Sequence, residues 1–411
     1  MTVLPQVLRN RALSTLMLGH FSNDLFAGVL PVLYPAFKDE FHLTNAEVGL
    51  VTLAYSGTAS IFQPLFGHVA DRYDKRWYVP FALLWSGIFV ASYGFAGGFG
   101  ALVILAAIAG LGSGAFHPLG ATNAARVVSE RTKNTALSLY TVAGTTGWAI
   151  GPLIAVALLA LFGLHGTAVF FAWGIIAASL LYWQLATVQT ARNTSPSSIS
   201  TTDSSRKADP ALLARVVLVV MLRSWVFLSL IQYVPTWFDE LGYRRVFYGS
   251  LTTAMILGGA VGTLLGGSLA DRIGGRRILM TSLALSCPAL MFFAGFPGYI
   301  SLLTGTLFGL LSDSSLSITL VAAQRLLPGR TGIASGMILG LGFVTGGIGV
   351  PISGRIADSI GFQQAFMLLS LLGLIAALVA TTIPKRALDY QEAITLDESG
   401  RRRSTAPEPA T

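Results

Sequence analysis

The sequence predicts an all-α polytopic membrane protein: twelve transmembrane helices in two six-helix, pseudo-symmetric bundles. Three observations predict it. Hydrophobic residues are 53% of the 411 positions and charged residues only 11%, where a soluble domain carries about 25% charged. Apolar runs near the ~20 residues that a spanning helix needs recur along the chain. An 11-residue segment occurs twice, 200 positions apart: Gly67, Ala70, Asp71, Arg72 and Arg76 return as Gly267, Ala270, Asp271, Arg272 and Arg276.

The first bundle takes residues 1–188, with spans near 12–36, 46–69, 78–97, 100–125, 134–163 and 166–188. Residues 78–116 hold no charge and no histidine, enough for two spans turning at Gly97-Gly98-Phe99-Gly100. The first apolar run carries His20, Asn23 and Asp24 inside it and lacks a clear cleavage site, so it reads as a retained helix and not a signal peptide. Residues 189–210 are rich in Ser, Thr, Asn and Asp and read as a flexible cytoplasmic linker. The second bundle takes residues 211–385, with spans near 211–238, 246–270, 277–296, 299–324, 331–354 and 362–384. Residues 386–411, charged and ending in Arg401-Arg402-Arg403 and a Pro-containing stretch, are expected to be a disordered cytoplasmic tail.

The repeat extends past the charged turns. Arg126…Arg131-Thr132 after the fourth span matches Arg325…Arg330-Thr331 after the tenth, and Pro35 matches Pro235. Two bundles related in this way form a parallel repeat with a path between them. Lysines and arginines then sort to one side. Arg9, Arg11, Arg72, Lys75, Arg76, Arg126, Arg131, Lys133, Arg272, Arg276, Arg277, Arg325 and Arg330 fall on the side of the termini, and Lys38, Arg244, Arg245 and Arg355 on the other. This bias places both termini in the cytoplasm. The net charge of +8 therefore belongs to membrane topology, and no nucleic-acid partner is expected.

One cysteine, Cys287, excludes an intrachain disulfide. His20, His42, His68, His117 and His165 show no ligand spacing, so no metal site and no cofactor are expected. No Walker loop is present, which disfavours ATP drive.

Few polar groups sit inside spans. An ionised Asp24 near the bilayer centre costs roughly 2.5–3.5 kcal/mol and so faces a cavity or a partner. His20 lies one turn away on the same face, with Asn23 adjacent. These residues read as a proton-coupling or substrate site, or else as a polar helix contact. Arg223, well inside the seventh span, needs a carboxylate or an anionic ligand. Asp313 and Asp24 are the candidate partners, and the role is a substrate anion site, a switchable pair or a static one. His117, between Gly114 and Pro118, is either a titrating group or a hydrogen-bonded packing residue. Gly144, Gly147, Gly151 and Pro152 in the fifth span, and Gly342, Gly346, Gly349 and Pro351 in the eleventh, put small residues on one helix face for close approach. Gln63, Trp148, Gln232 and Tyr233 either line a cavity or pack.

The Gly-x-x-x-Asp-Arg-x-x-x-Arg turn in both halves resembles the major facilitator superfamily over nearly the whole chain. His20-Phe21-Ser22-Asn23-Asp24, Phe116-His117-Pro118, Ala323-Gln324-Arg325-Leu326-Leu327-Pro328-Gly329-Arg330 and the run Gly340-Leu341-Gly342…Gly346-Gly347 resemble the fosmidomycin-resistance type of drug exporter. The resemblance implies the major facilitator fold, no enzyme activity, and proton-driven efflux of small drug-like molecules across the plasma (inner) membrane. Small-molecule substrate, protons and the lipid bilayer are then the partners of a monomer. It gives Gly67, Asp71, Arg72, Arg76 and their counterparts Gly267, Asp271, Arg272, Arg276 the role of a cytoplasmic gating latch, built from a carboxylate on a helix N-terminus plus arginine pairing. It makes the fifth-span glycines an antiporter motif. A symporter importing a metabolite would share the fold. An intramembrane aspartyl enzyme would use two carboxylates such as Asp24 and Asp313, yet residues 310–313 read Leu-Leu-Ser-Asp, without a Gly-x-Gly-Asp context. A receptor would not need twin turns.

Overall fold

The computed structural model describes residues 9–72, 77–129, 132–188, 209–327, 331–388, 395–396 and 402–403. Helix α1 (Arg11–Phe41) starts where the Asn10 side chain accepts from the Leu13 amide at 3.1 Å. Helix α2 (Asn45–Ile61) starts at a capping box: Thr44 and Glu47 bond each other's backbone amides. The ladder breaks at Phe62, just before Gln63-Pro64, and resumes as α3 (Gln63–Arg72). The first half is completed by α4 (Tyr78–Ala91), α5 (Phe99–Arg126), α6 (Lys133–Phe162) and α7 (Val169–Val188).

Helix α8 (Pro210–Glu240) opens with Asp209 as N-cap and Pro210 at the first turn. Pro210 thus belongs to the helix and not to the linker; residues 189–208 lie outside the described residues. After α9 (Arg245–Ile273) and α10 (Gly275–Gly295), the tenth span breaks into α11 (Ser301–Asp313) and α12 (Leu316–Leu326). At the break the serine hydroxyls bond local carbonyls, Ser314 Oγ to Leu310 O at 2.7 Å and Ser315 Oγ to Ser312 O at 2.8 Å. Helices α13 (Thr331–Ile360) and α14 (Phe362–Thr381) close the second half.

Among the described residues, ten segments are long and apolar enough to cross a membrane. One of them, Thr135–Leu185, takes in most of both α6 and α7, and the broken pair α2–α3 supplies a further span, so the order follows the expected twelve. Lipid-facing chemistry is evident at the surface, where Trp183, Leu303 and Leu264 are exposed.

The expected disordered tail needs correction at its start. Lys385–Leu388 form a helical turn, α15, with Ala387 and Leu388 buried against the second half. Arg325 donates to the Leu388 carbonyl, and Arg276 donates to those of Thr381 and Ile383. Apolar side chains and arginine donors anchor the segment. Thr395–Leu396 also pairs antiparallel with Arg402–Arg403; the rest of the tail lies outside the described residues.

Packing repeats between the halves. Helix α1 lies on α6 as α8 lies on α13; α2 on α5 as α9 on α11; α4 on α7 as α10 on α14. Between the halves, α2 packs on α13 and α6 on α9. Glycine makes the α1–α6 contact possible. A Cβ on Gly147 would sit 2.0 Å from the Phe21 carbonyl oxygen, and one on Gly151 2.6 Å from Gly28. Gly147→Ala should therefore separate the helices at a cost of ~1–3 kcal/mol or more, read as a lower melting temperature in detergent. Gly340→Ala, with nothing within 4 Å, should leave it unchanged.

Candidate functional site

Helices α1, α5 and α6 bring one polar cluster together inside the first bundle. His20 and Asp24 face α6 from successive turns of α1, with His20 Nε2 3.3 Å from Asp24 Oδ2. Helix α5 adds His117, whose Nε2 is 3.6 Å from Asp24 Oδ1. Asn23 Nδ2 donates to Asp24 Oδ1 at 3.0 Å and to Ser113 Oγ at 3.2 Å. Gly144 leaves the room: a Cβ there would meet Asp24 Oδ2 and His20 Nε2 at 2.5 Å. Thus the fifth-span glycine row does more than let helices approach; one of its members accommodates the His–Asp pair. Side-chain exposure grades outward through the cluster, from 9% for His20 to 20% for Asp24 and 33% for His117.

The His20 ring is held on both faces of the question of where its proton lies. Nδ1 is 2.8 Å from the Tyr140 carbonyl oxygen, and the ring stacks on Tyr140 at 4.2 Å. A carbonyl only accepts, so Nδ1 carries a hydrogen. A neutral ring then points the Nε2 lone pair at a carboxylate oxygen, which is repulsive if Asp24 is ionised. The pair accordingly needs one further proton, on Nε2 or on Asp24, or another cation between them.

In the second bundle, Arg223 Nη1 donates to Asp313 Oδ1, and Nη2 donates to Ser224 Oγ at 3.1 Å. Of the two carboxylates considered as partners for Arg223, Asp313 is the one bonded, and it neutralises the guanidinium. Both residues are buried, which argues against a free anion site there. The position is also duplicated. Arg223 and Asp313 stand 200 residues after Asn23 and Ser113, so the same cross-link between first and fourth helices occurs in each half, once neutral and once ionic.

The repeated turns are only partly described. Arg76 lies outside the described residues, as do the side chains of Asp71 and Arg72. Asp271 and Arg272 are exposed and no described residue bonds either; Arg276 instead holds the chain after α14. The carboxylate-on-helix contact expected of these turns occurs elsewhere. Asp358, near the end of α13, accepts from the Asn45 and Ala46 amides at 2.8 and 3.0 Å, across the two halves. Tyr233 Oη donates to the Asn45 carbonyl at 2.7 Å, Lys38 pairs with Glu240, and Gly354 fits against Asn45 and Tyr233. Close packing of Pro351 on Gly49 continues this seal, while Gly346 fits against Ser224 and Leu228 within the second half. The helix runs on through Pro152 in α6.

This latch was missed in the sequence, although a signal exists: Gly354-Arg355-Ile356-Ala357-Asp358 shares the Gly-x-x-Ala-Asp spacing of the two repeated turns. Tyr140 and Ser113 carried no signal, because each acts through one atom beside a residue of another helix. Gln232 is buried with Oε1 unpartnered among the described residues, and Trp148 contacts the Phe227 ring across the halves. A pocket of about 670 Å³ at the end of the molecule carrying Asp39, Glu40, His165 and Arg245 contains none of the cluster residues.

The sequence pattern of the Major Facilitator Superfamily matches residues 16–247 and 235–402. The chain belongs to this superfamily. Among its relatives is the "Fosmidomycin resistance protein" of Escherichia coli (strain K12), 28% identical over 378 residues, covering 89% of this chain and 91% of the relative. An uncharacterized MFS-type transporter of Bacillus subtilis (strain 168) is 29% identical over 375 residues, covering 88% and 90%. A bacterial homolog to the human lysosomal transporter Spinster, in an inward-facing and occupied conformation, shares the fold with a TM-score of 0.80 at 15% identity, over 93% of this chain and 98% of that one. These findings make the chain a multi-pass membrane transporter of the superfamily, with a fold suited to alternating access.

Proposed function

We propose that this transporter is a proton-coupled antiporter that exports small drug-like molecules from the cytoplasm across the plasma (inner) membrane. The observation that supports the reading is the His20 hydrogen bond to the Tyr140 carbonyl, which turns Nε2 towards Asp24 and makes the pair a place for one exchangeable proton. Asp24 then bonds Asn23 and faces His117, so its charge acts on α1, α5 and α6 together. Loss of the shared proton sets the His20 Nε2 lone pair against an ionised carboxylate and pushes the pair apart; its return draws them together. The similarity to the fosmidomycin resistance protein supports a drug-like cargo and the outward direction. A second reading, a symporter importing a metabolite, draws support from the hexuronate transporter of Escherichia coli (strain K12), 22% identical over 402 residues.

With lysines and arginines setting the termini in the cytoplasm, the Asp358–Asn45 seal closes the outer end and the exposed Asp271–Arg272 turn is a released inner latch. This arrangement fits a cytoplasm-open state, ready to load. Asp358→Asn removes a charged helix cap worth about 1 kcal/mol, which is roughly fivefold in the balance of states. Spin labels on cysteines at His42 and Leu241, in a Cys287→Ser background, should show the longer, outward-open distance gaining by that factor. An unchanged distribution would remove Asp358 as a gate.

The coupling itself is tested in everted membrane vesicles with a preset inside-acid gradient, challenged with fosmidomycin and a set of lipophilic cations. At least one compound is expected to dissipate the gradient. No response to any of them from folded protein would favour the symport reading.

A further inference from the structure

The same cluster has the composition and spacing of a site for a late first-row divalent metal. We propose that His20 Nε2, the Asp24 carboxylate and His117 Nε2 bind Zn2+ or a cation of similar ligand preference, with the fourth position left for water. Sequence spacing gave no such expectation because the third ligand comes from another helix, 93 residues beyond Asp24.

Geometry is the first support. The three donor groups lie within 4.8 Å of one another. Zinc takes imidazole nitrogen and carboxylate oxygen at about 2.0–2.2 Å, and tetrahedral angles then set neighbouring donors about 3.3–3.6 Å apart. Each imidazole nitrogen stands at that spacing from one oxygen of the same carboxylate, His20 Nε2 3.3 Å from Oδ2 and His117 Nε2 3.6 Å from Oδ1, and a rotation of the carboxyl group turns a single oxygen towards both. Two histidines and one carboxylate form a three-ligand set that leaves a position for water or an anionic oxygen.

Support around the ligands comes second. The Tyr140 carbonyl accepts from His20 Nδ1, which directs the Nε2 lone pair into the cluster, the arrangement that orients metal-bound histidines. Asn23 bonds the carboxylate, and its own Oδ1 is buried without a partner among the described residues, an oxygen left over within the cluster. Access is third: the partial exposure of Asp24 and His117 gives an ion a way in, while His20 is closed off behind them. The lone cysteine, Cys287, sits on another helix in the second half and takes no part.

This proposal does not require proton coupling, and its test reads binding without transport, so each can fail alone. Purified, tag-free full chain carrying Cys287→Ser is titrated with Zn2+ by calorimetry, and Co2+ is followed by visible absorption. One saturable Zn2+ per chain is expected, with a Co2+ spectrum of nitrogen and oxygen ligation. Asp24→Asn and His117→Ala should each weaken binding by at least about tenfold, the low end of what even outer-shell losses cost. If His117→Ala does not fold, His117→Gln supplies the same comparison. Undiminished binding in a folded His117 variant, or no saturable binding to the folded parent, overturns the site.

Discussion

Asp24→Asn is expected to abolish uphill transport while leaving downhill exchange of substrate in place. One proton moved through 100 mV supplies ~2.3 kcal/mol, equivalent to about a 50-fold substrate gradient at ~1.4 kcal/mol per factor of ten. An asparagine keeps the shape and can still bond Asn23 and His20, but it carries no exchangeable proton. Reconstituted wild type should therefore build a gradient under an imposed proton gradient, and the variant should stop at equal concentrations. The fold should survive, because the change removes a costly intramembrane charge. Uphill transport persisting in Asp24→Asn would take the coupling role from this residue.

The second large effect concerns Arg223 and Asp313. Removing one partner of a buried ion pair costs about 3–5 kcal/mol, because the other charge is left uncompensated. The two single changes should differ. Arg223→Gln leaves a carboxyl group that can become neutral by binding a proton, whereas Asp313→Asn leaves a guanidinium that cannot lose one. Asp313→Asn should be the more damaging, read as the larger fall in melting temperature and yield. The double variant should recover most of the loss, since the equivalent cross-link in the first half, Asn23 to Ser113, is neutral already. Exchange should recover with folding, as expected of a static clamp between α8 and α11. A double variant that folds well but does not transport would make the pair a switching element.

The sequence shows most of the architecture because the bilayer forces it. Spans are marked by length and apolarity, and halves by the repeated charged turns. Breaks inside spans were less legible. Pro64 explains one, but the break after Asp313 falls at Ser314-Ser315, whose hydroxyl-to-carbonyl bonds also occur in unbroken helices of this chain, so the residue types alone do not reveal it. For the site, Asp24 and His20 were readable from helical spacing. The third member, His117, needed the α1–α5 contact, and the duplicated cross-link was hidden because Asn–Ser became Arg–Asp while the positions stayed. The outer latch was hidden for a different reason. Asp358 is a surface carboxylate by sequence, and its partner is a helix end 313 residues away.

The most direct test of the central claim is proton release on binding. Purified protein in weakly buffered detergent solution is mixed with a compound that dissipated the vesicle gradient, and solution pH is recorded beside the Asp24→Asn variant. The account predicts that substrate binding acidifies the wild-type solution and leaves that of the variant unchanged. Alkalinisation, or binding with no proton movement in the wild type, would contradict an antiporter in which substrate and proton exclude one another at His20 and Asp24.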